Sequence, residues 1–158
     1  MRMIGKKRAL ISTLAAVAVL ALDRLTKAWA AGVLVGDGSR VALPGLLAWR
    51  YCENTGAAFS MMSGKGVVLC GFTAAVIIAA IVWYIRHGDC GRWLAAGITL
   101  LVSGGLGNLY DRIVYGCVID FIEVLFVKFA VFNVADIAVV CGTVCIMIGA
   151  LIAEDGKK

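Results

Sequence analysis

The chain has 158 residues, of which 62% are hydrophobic and 16% charged, where soluble domains run at about 45–50% apolar and about 25% charged. With a mean hydropathy of +0.96, too little charge is left to coat a water-exposed surface, so the excess apolar surface faces lipid. One proline and 19 glycines exclude a Pro-rich linker or a collagen-like chain, and the formal net charge of +5 comes with no basic stripe interleaved with aromatics, which excludes a nucleic-acid partner.

The first apolar run, Ala9–Leu22, holds 14 uncharged residues before Asp23 and Arg24. At about 1.5 Å per residue it is short of a hydrocarbon core of about 30 Å, so it spans only with Asp23 at or inside the membrane edge; a helix over 9–28 is predicted. Arg2, Lys6, Lys7 and Arg8 ahead of it and Ala28-Trp29-Ala30 behind it imitate a cleavable signal peptide. Asp23, Arg24 and Lys27 interrupt that pattern, and the helix is expected to be retained. The stretch 29–66 is too long for a connector. In it Leu47, Trp49 and Tyr51 alternate with Ala48, Arg50 and Cys52, the period of a half-buried strand, between turns at Gly36-Asp37-Gly38-Ser39 and Pro44-Gly45.

Val67–Ile85 gives 19 uncharged residues and Trp93–Tyr110 gives 18, predicting helices over 67–85 and 93–111 joined by the short polar turn Arg86–Arg92. The stretch 112–132 holds a β-prone segment, Cys117–Val124. Ile137–Ala153 adds 17 uncharged residues, for a helix over 133–153. With both termini cytoplasmic, Arg2, Lys6, Lys7, Arg8, Arg86, Arg92, Lys157 and Lys158 crowd into three short inner segments. Arg24, Lys27, Arg40, Arg50, Lys65, Arg112 and Lys128 spread over two longer outer stretches. Trp29, Trp83, Trp93 and Tyr110 fall near span ends, as interfacial aromatics do. The expected fold is an all-α membrane protein: four transmembrane helices, both ends cytoplasmic, with a small sheet on the outer face and the whole of 1–158 as one domain.

Ionisable groups at membrane depth are costly, and here the acids cluster: Asp23, Asp111, Asp120 and Asp136 all lie at the outer face under this topology. Asn108, Asp111 and Arg112 share one helix face, as do Asn133 and Asp136. Asp111 beside Arg112 reads as a buried ion pair, Asn133 as a helix cap, and Asp136 as an acid favoured by the helix dipole. Asp120 and Asp136 have no basic residue adjacent to either. Two acids in apolar settings at one level can share a site in which one carboxyl stays protonated, giving the acid and the base for water-activated peptide hydrolysis. The lone histidine, His87, falls in the inner turn, away from any outer Ser-His or Cys-His couple. The six cysteines form no C-x-x-C pair, and one histidine makes no zinc cluster; no metal or cofactor is expected. Cys52 and Cys117 both lie on the outer side, and the sequence leaves open whether they pair. A small polytopic transporter or proton relay is the rival reading, though it would spread acids through the bilayer depth.

Five segments in order then match one family. Asp23-Arg24-Leu25-Thr26-Lys27 is similar to its D-x-x-[ST]-K motif, Asn54-Thr55-Gly56-Ala57-Ala58-Phe59 to its N-x-G-A-A-F motif, and Gly104-Gly105-Leu106-Gly107-Asn108-Leu109-Tyr110-Asp111-Arg112 to its glycine-rich segment closing on D-R. Val118-Ile119-Asp120-Phe121 and Phe132-Asn133-Val134-Ala135-Asp136 resemble its two aspartate segments, with Ile119 where the family often has Val. The chain thus resembles lipoprotein signal peptidase, or signal peptidase II, a bacterial inner-membrane aspartic endopeptidase family. The resemblance implies cleavage of diacylglyceryl-prolipoproteins on the N-terminal side of the lipidated cysteine, at the extracytoplasmic face of the cytoplasmic membrane. It implies Asp120 and Asp136 as the catalytic dyad, Asn54, Gly56, Asn108, Arg112 and Asn133 as substrate-binding residues, and Asp23, Lys27 and Asp111 as structural support. It also implies a β-cradle with a short surface helix over the site, and membrane lipids and prolipoproteins as partners of a monomer.

Overall fold

The computed structural model describes residues 5–56, 66–88 and 90–155. Its helices are α1 (Lys6–Val33), α2 (Gly66–Arg86), α3 (Arg92–Tyr115) and α4 (Val134–Asp155), each long and apolar enough to cross a membrane. α1 overruns the expected 9–28 at both ends, because Lys6–Arg8 before the apolar run and the Ala-rich turn after Lys27 are good helix formers. Its 28 residues measure about 42 Å, enough to cross with Asp23 well inside the helix. α3 runs past the expected 111 until Gly116, at φ +74°, closes it with a left-handed cap whose N–H donates to the Arg112 carbonyl.

α3 is the middle of the bundle. Half of its most apolar window is buried inside the protein, against 6% for α1 and α2 and 22% for α4, and it packs on all three. Its glycines make this approach: a Cβ on Gly104 would stand 2.4 Å from the Ala135 carbonyl oxygen, and one on Gly97 2.7 Å from that of Gly142. α3 and α4 therefore meet backbone to backbone, the mode of small-residue interfaces in membranes.

β1 (Ser39–Leu43), β2 (Leu47–Asn54) and β3 (Val118–Val124) form one antiparallel sheet in that order. Pro44 and Gly45, the latter at φ +72°, turn β1 into β2, with the Leu46 N–H donating to the Leu43 carbonyl at 3.0 Å. The alternation read from sequence is realised in part: Leu47, Trp49 and Tyr51 pack on Ala30, Leu34, Phe121 and Ile122, but Ala48 between them is fully buried and the register shifts between Trp49 and Cys52. Trp29 meets both Trp49 and Phe121 edge to face, which seats the sheet on the end of α1. Ile122 and Phe132 exchange backbone hydrogen bonds, Phe132 donating at 3.1 Å and accepting at 2.8 Å, so the entry to α4 lies beside β3.

The structure answers whether Cys52 and Cys117 pair. Cys52 and Cys117 are both free; the register sets Cys52 opposite Asp120 and Asn54 opposite Val118, so the two cysteines lie apart along the ladder. Burial pushes both thiols up, leaving them poorly ionised. The expected short surface helix is not among the described parts of the outer stretches, and residues 57–65 of the first of them lie outside the described residues. Ala57, Ala58 and Phe59 of the N-x-G-A-A-F segment lie outside the described residues.

Candidate active site

Four charges lock α1 to α3. Asp23 is 1% exposed and Asp111 fully buried, and each faces the same two cations. Lys27 Nζ lies 3.1 Å from Asp23 and 2.7 Å from Asp111, while Arg24 donates to Asp111 at 2.5 Å and to Asp23 at 2.7 Å. Two acids and two bases thus cancel where an isolated charge would be prohibitive. Gly107 makes room for them, since a Cβ there would meet Asp23 at 2.7 Å. The other Asp23 oxygen accepts the Ala135 N–H at 3.1 Å, satisfying a free donor in the first turn of α4. The expected Asp111–Arg112 ion pair does not form, because successive helical residues do not face each other. Arg112 instead donates to the Asn108 carbonyl at 3.4 Å and the Gly56 carbonyl at 3.3 Å.

Beside this network lie the two remaining acids. Asp120, in β3 and 2% exposed, accepts from Asn133 Nδ2 at 2.7 Å and from Asn54 Nδ2 at 3.0 Å. Asp136 accepts from Asn108 Nδ2 at 2.7 Å and from the Asn133 backbone N–H at 3.1 Å. Asn133 Oδ1 in turn accepts the Asp136 N–H at 2.9 Å. Asn133 and Asp136 thereby cap α4 reciprocally, in the manner of a capping box, so the expected cap forms and the same amide also holds Asp120. Asn54 is fixed by accepting the Gly56 N–H at 3.0 Å.

Lys27 reaches this second cluster as well. It donates to Asn108 Oδ1 at 3.0 Å, and an ammonium can only donate, so the Asn108 NH2 is turned toward Asp136. Burial pushes the Asp120 carboxyl from 3.8 up to about 7, the Asp136 carboxylate adding to it and the Asn54 and Asn133 donations opposing it.

A cavity of about 440 Å³ brings Asn54, Asn108, Arg112, Asp120 and Asp136 to one polar end. Its remaining wall is apolar, formed by Val118, residues 129–132 and the α4 face with Val139 and Val140. Asn133 stands behind the two acids, fully buried. The sequence reading missed the 129–132 wall, and it missed the Lys27–Asn108 bond, which no local pattern marks. Among the described residues no group of three or more His, Cys, Asp or Glu is placed to hold a metal ion.

Residues 15–152 match the family model described as Signal peptidase (SPase) II. The chain is 39% identical over 139 residues to the lipoprotein signal peptidase of Clostridium novyi, covering 86% of this chain and 93% of that protein. To the lipoprotein signal peptidase of Streptococcus pneumoniae it is 34% identical over 150 residues, covering 94% and 97%. Its fold matches a solved bacterial membrane enzyme, determined by the in meso method at 2.3 Å resolution, with a TM-score of 0.88 and 30% identity over 99% of this chain and 95% of that one.

Proposed function

The chain belongs to the signal peptidase II family, and from that premise we propose that Asp120 and Asp136 are the catalytic pair of an aspartic endopeptidase. The protein is a membrane enzyme that removes signal peptides from prolipoproteins. The observation that carries the assignment is the juxtaposition of two carboxyls in one cavity, held by three asparagine amides, with the Asp120 carboxyl raised to about 7.

Asp136, oriented by two N–H donors at a helix start that favours negative charge, takes a proton from a water as that water attacks the scissile carbonyl carbon. Asp120 gives its proton to the carbonyl oxygen, yielding a tetrahedral diol. As the C–N bond breaks, Asp136 passes its proton to the leaving amine and a diol hydroxyl returns one to Asp120, restoring both groups. Arg112, with Asn54 and the Gly56 backbone, borders the cavity where the substrate main chain would lie. Asp23, Lys27 and Asp111 act at a distance by fixing Asn108 and the start of α4.

The apolar wall fits a substrate that arrives through lipid: a prolipoprotein whose cysteine carries diacylglycerol, cut on the N-terminal side of that cysteine. Both aspartates come from one chain, so a monomer within membrane lipid suffices as the catalytic unit, and residues 1–158 work as one membrane-embedded peptidase domain. The site lies at the extracytoplasmic face of the bacterial cytoplasmic membrane, with both termini inside. The transporter or proton-relay alternative is not supported, since the four acids gather at one end of the bundle and the family is that of a peptidase. The test is a gel-shift assay on a purified diacylated prolipoprotein with Asp120→Asn and Asp136→Asn. Each substitution is expected to abolish processing, and wild-type cleavage by either variant overturns the assignment.

A further inference from the structure

At the other end of the bundle lies a larger cavity, of about 780 Å³, between the N-terminal turns of α1, the N-terminal turns of α3 and the α2–α3 turn at Gly88. Along α3 its rim at Arg92 lies 16 positions before Asn108, roughly 24 Å, and its inner end at Leu100 lies eight positions before it, roughly 12 Å. We propose that this cavity binds an anionic phospholipid, with the phosphate at Lys7 and Arg92 and one acyl chain running inward past Ile11, Ala15 and Leu100.

The chemistry of the lining commits it to that class. Its rim carries three cations, Lys7, Arg8 and Arg92, and among its described lining residues none is acidic. Arg8 donates to the Gly88 carbonyl at 3.1 Å, so it ties the α2–α3 turn to α1 and shapes the rim, while Lys7 and Arg92 are exposed toward it. Deeper in, the hydroxyls are already committed: Thr99 donates to the Ala95 carbonyl at 2.7 Å and Ser12 pairs with the Tyr84 hydroxyl at 2.9 Å. The deep lining is mainly apolar, so burying a charged headgroup there would be costly, whereas a hydrocarbon chain replaces nothing. A cationic mouth over an apolar slot between membrane helices matches an anionic headgroup with its tail, and it repels a positively charged peptide segment.

The test measures retention of dioleoylphosphatidylglycerol against dioleoylphosphatidylcholine by native mass spectrometry of the detergent-solubilised full chain, a readout independent of peptidase activity. Saturable retention of phosphatidylglycerol in preference to phosphatidylcholine is expected. The double variant Lys7→Gln/Arg92→Gln, at exposed positions, is expected to weaken it about 30-fold, roughly fivefold for each cation removed. Ala96→Phe, which fills the slot, is expected to weaken it as well, while Arg40→Gln/Arg50→Gln on the distant sheet leaves it unchanged. The proposal is overturned if the Lys7/Arg92 variant binds as the wild type does, or if the sheet variant weakens binding equally. Equal retention of phosphatidylcholine, or displacement of the lipid by an equimolar concentration of glycerol 3-phosphate, overturns it too.

Discussion

Asn133 is the residue on which the two acids converge, since one side chain donates to Asp120, accepts from the α4 backbone and stands behind the cavity. Asn133→Ala removes a cap worth about 1 kcal/mol and a charge-assisted bond of about 1.5–3 kcal/mol. A loss of a few kcal/mol by thermal unfolding in detergent is expected, with processing reduced in the gel-shift assay but not abolished as in the two Asp variants. Asp120 makes a prediction of opposite character. Its folded carboxyl is raised to about 7 from 3.8, so between those values the folded state holds a proton that the unfolded chain releases. The stability this contributes is therefore complete below about pH 4 and is lost as pH rises through about 7. Melting temperature of the wild type should fall across that window, and Asp120→Asn should flatten the fall; an equally steep fall in the variant counts against Asp120 as the titrating group. Because the proposed acid must be protonated, the initial rate should also decline above about pH 7. Lys27→Met acts differently again. It strands Asp23 and Asp111 with a single cation and frees Asn108 to rotate, which should cost about 3–5 kcal/mol and slow processing even where the variant folds.

Among the elements, the α3–α4 contact is the one that sets the site, because Asn108 comes from one helix and Asp136 from the other. Gly104→Ala would drive a methyl into the Ala135 carbonyl at 2.4 Å, while Gly105→Ala meets only side chains, Ile77 at 3.2 Å and Thr73 at 3.9 Å. Backbone cannot swing aside as a side-chain tip can, so Gly104→Ala should cost about 1–3 kcal/mol and lower activity by prising Asn108 from Asp136. Gly105→Ala should be nearly silent in both denaturation and processing. These elements were legible to different degrees. The spans show in the sequence because uncharged runs of lipid-crossing length are physically unambiguous, and β2 shows through Leu47, Trp49 and Tyr51. The ends of α1 do not show, since lysine and alanine carry a helix onward as readily as leucine does. Asp120 and Asp136 stand out by their apolar neighbours, and Asn133 by its place before α4. The bonds that make them a site join residues far apart in the chain, Lys27 with Asn108 across 81 positions and Arg112 with Gly56 across 56. No local pattern holds such pairs. For the same reason Asp111 reads wrongly in sequence, where Arg112 is its neighbour, although in space its partners are Arg24 and Lys27.

At the scale of the whole molecule the two ends of the bundle are chemically unlike. The sheet end gathers Asp23, Asp111, Asp120 and Asp136 with the cations that match them, whereas the opposite end presents the basic rim of Lys7, Arg8 and Arg92, with no acid among the described residues that line that cavity. Lysine and arginine are retained on the cytoplasmic side during insertion, so the rim end should face the cytoplasm and the sheet should face out. α1 and α2 expose long apolar faces that only lipid can cover, and this fixes the bundle axis across the membrane rather than along it. Orientation can then be read with single cysteines in a background where the six native ones are replaced. Val41→Cys lies on β1 at 64% exposure and should react with a membrane-impermeant maleimide in intact spheroplasts. His87→Cys lies in the exposed α2–α3 turn and should react only after permeabilisation. The reverse pattern would place Asp120 and Asp136 at the cytoplasmic face, where a translocated prolipoprotein cleavage site could not reach them, and would overturn the orientation while leaving the geometry of the dyad intact.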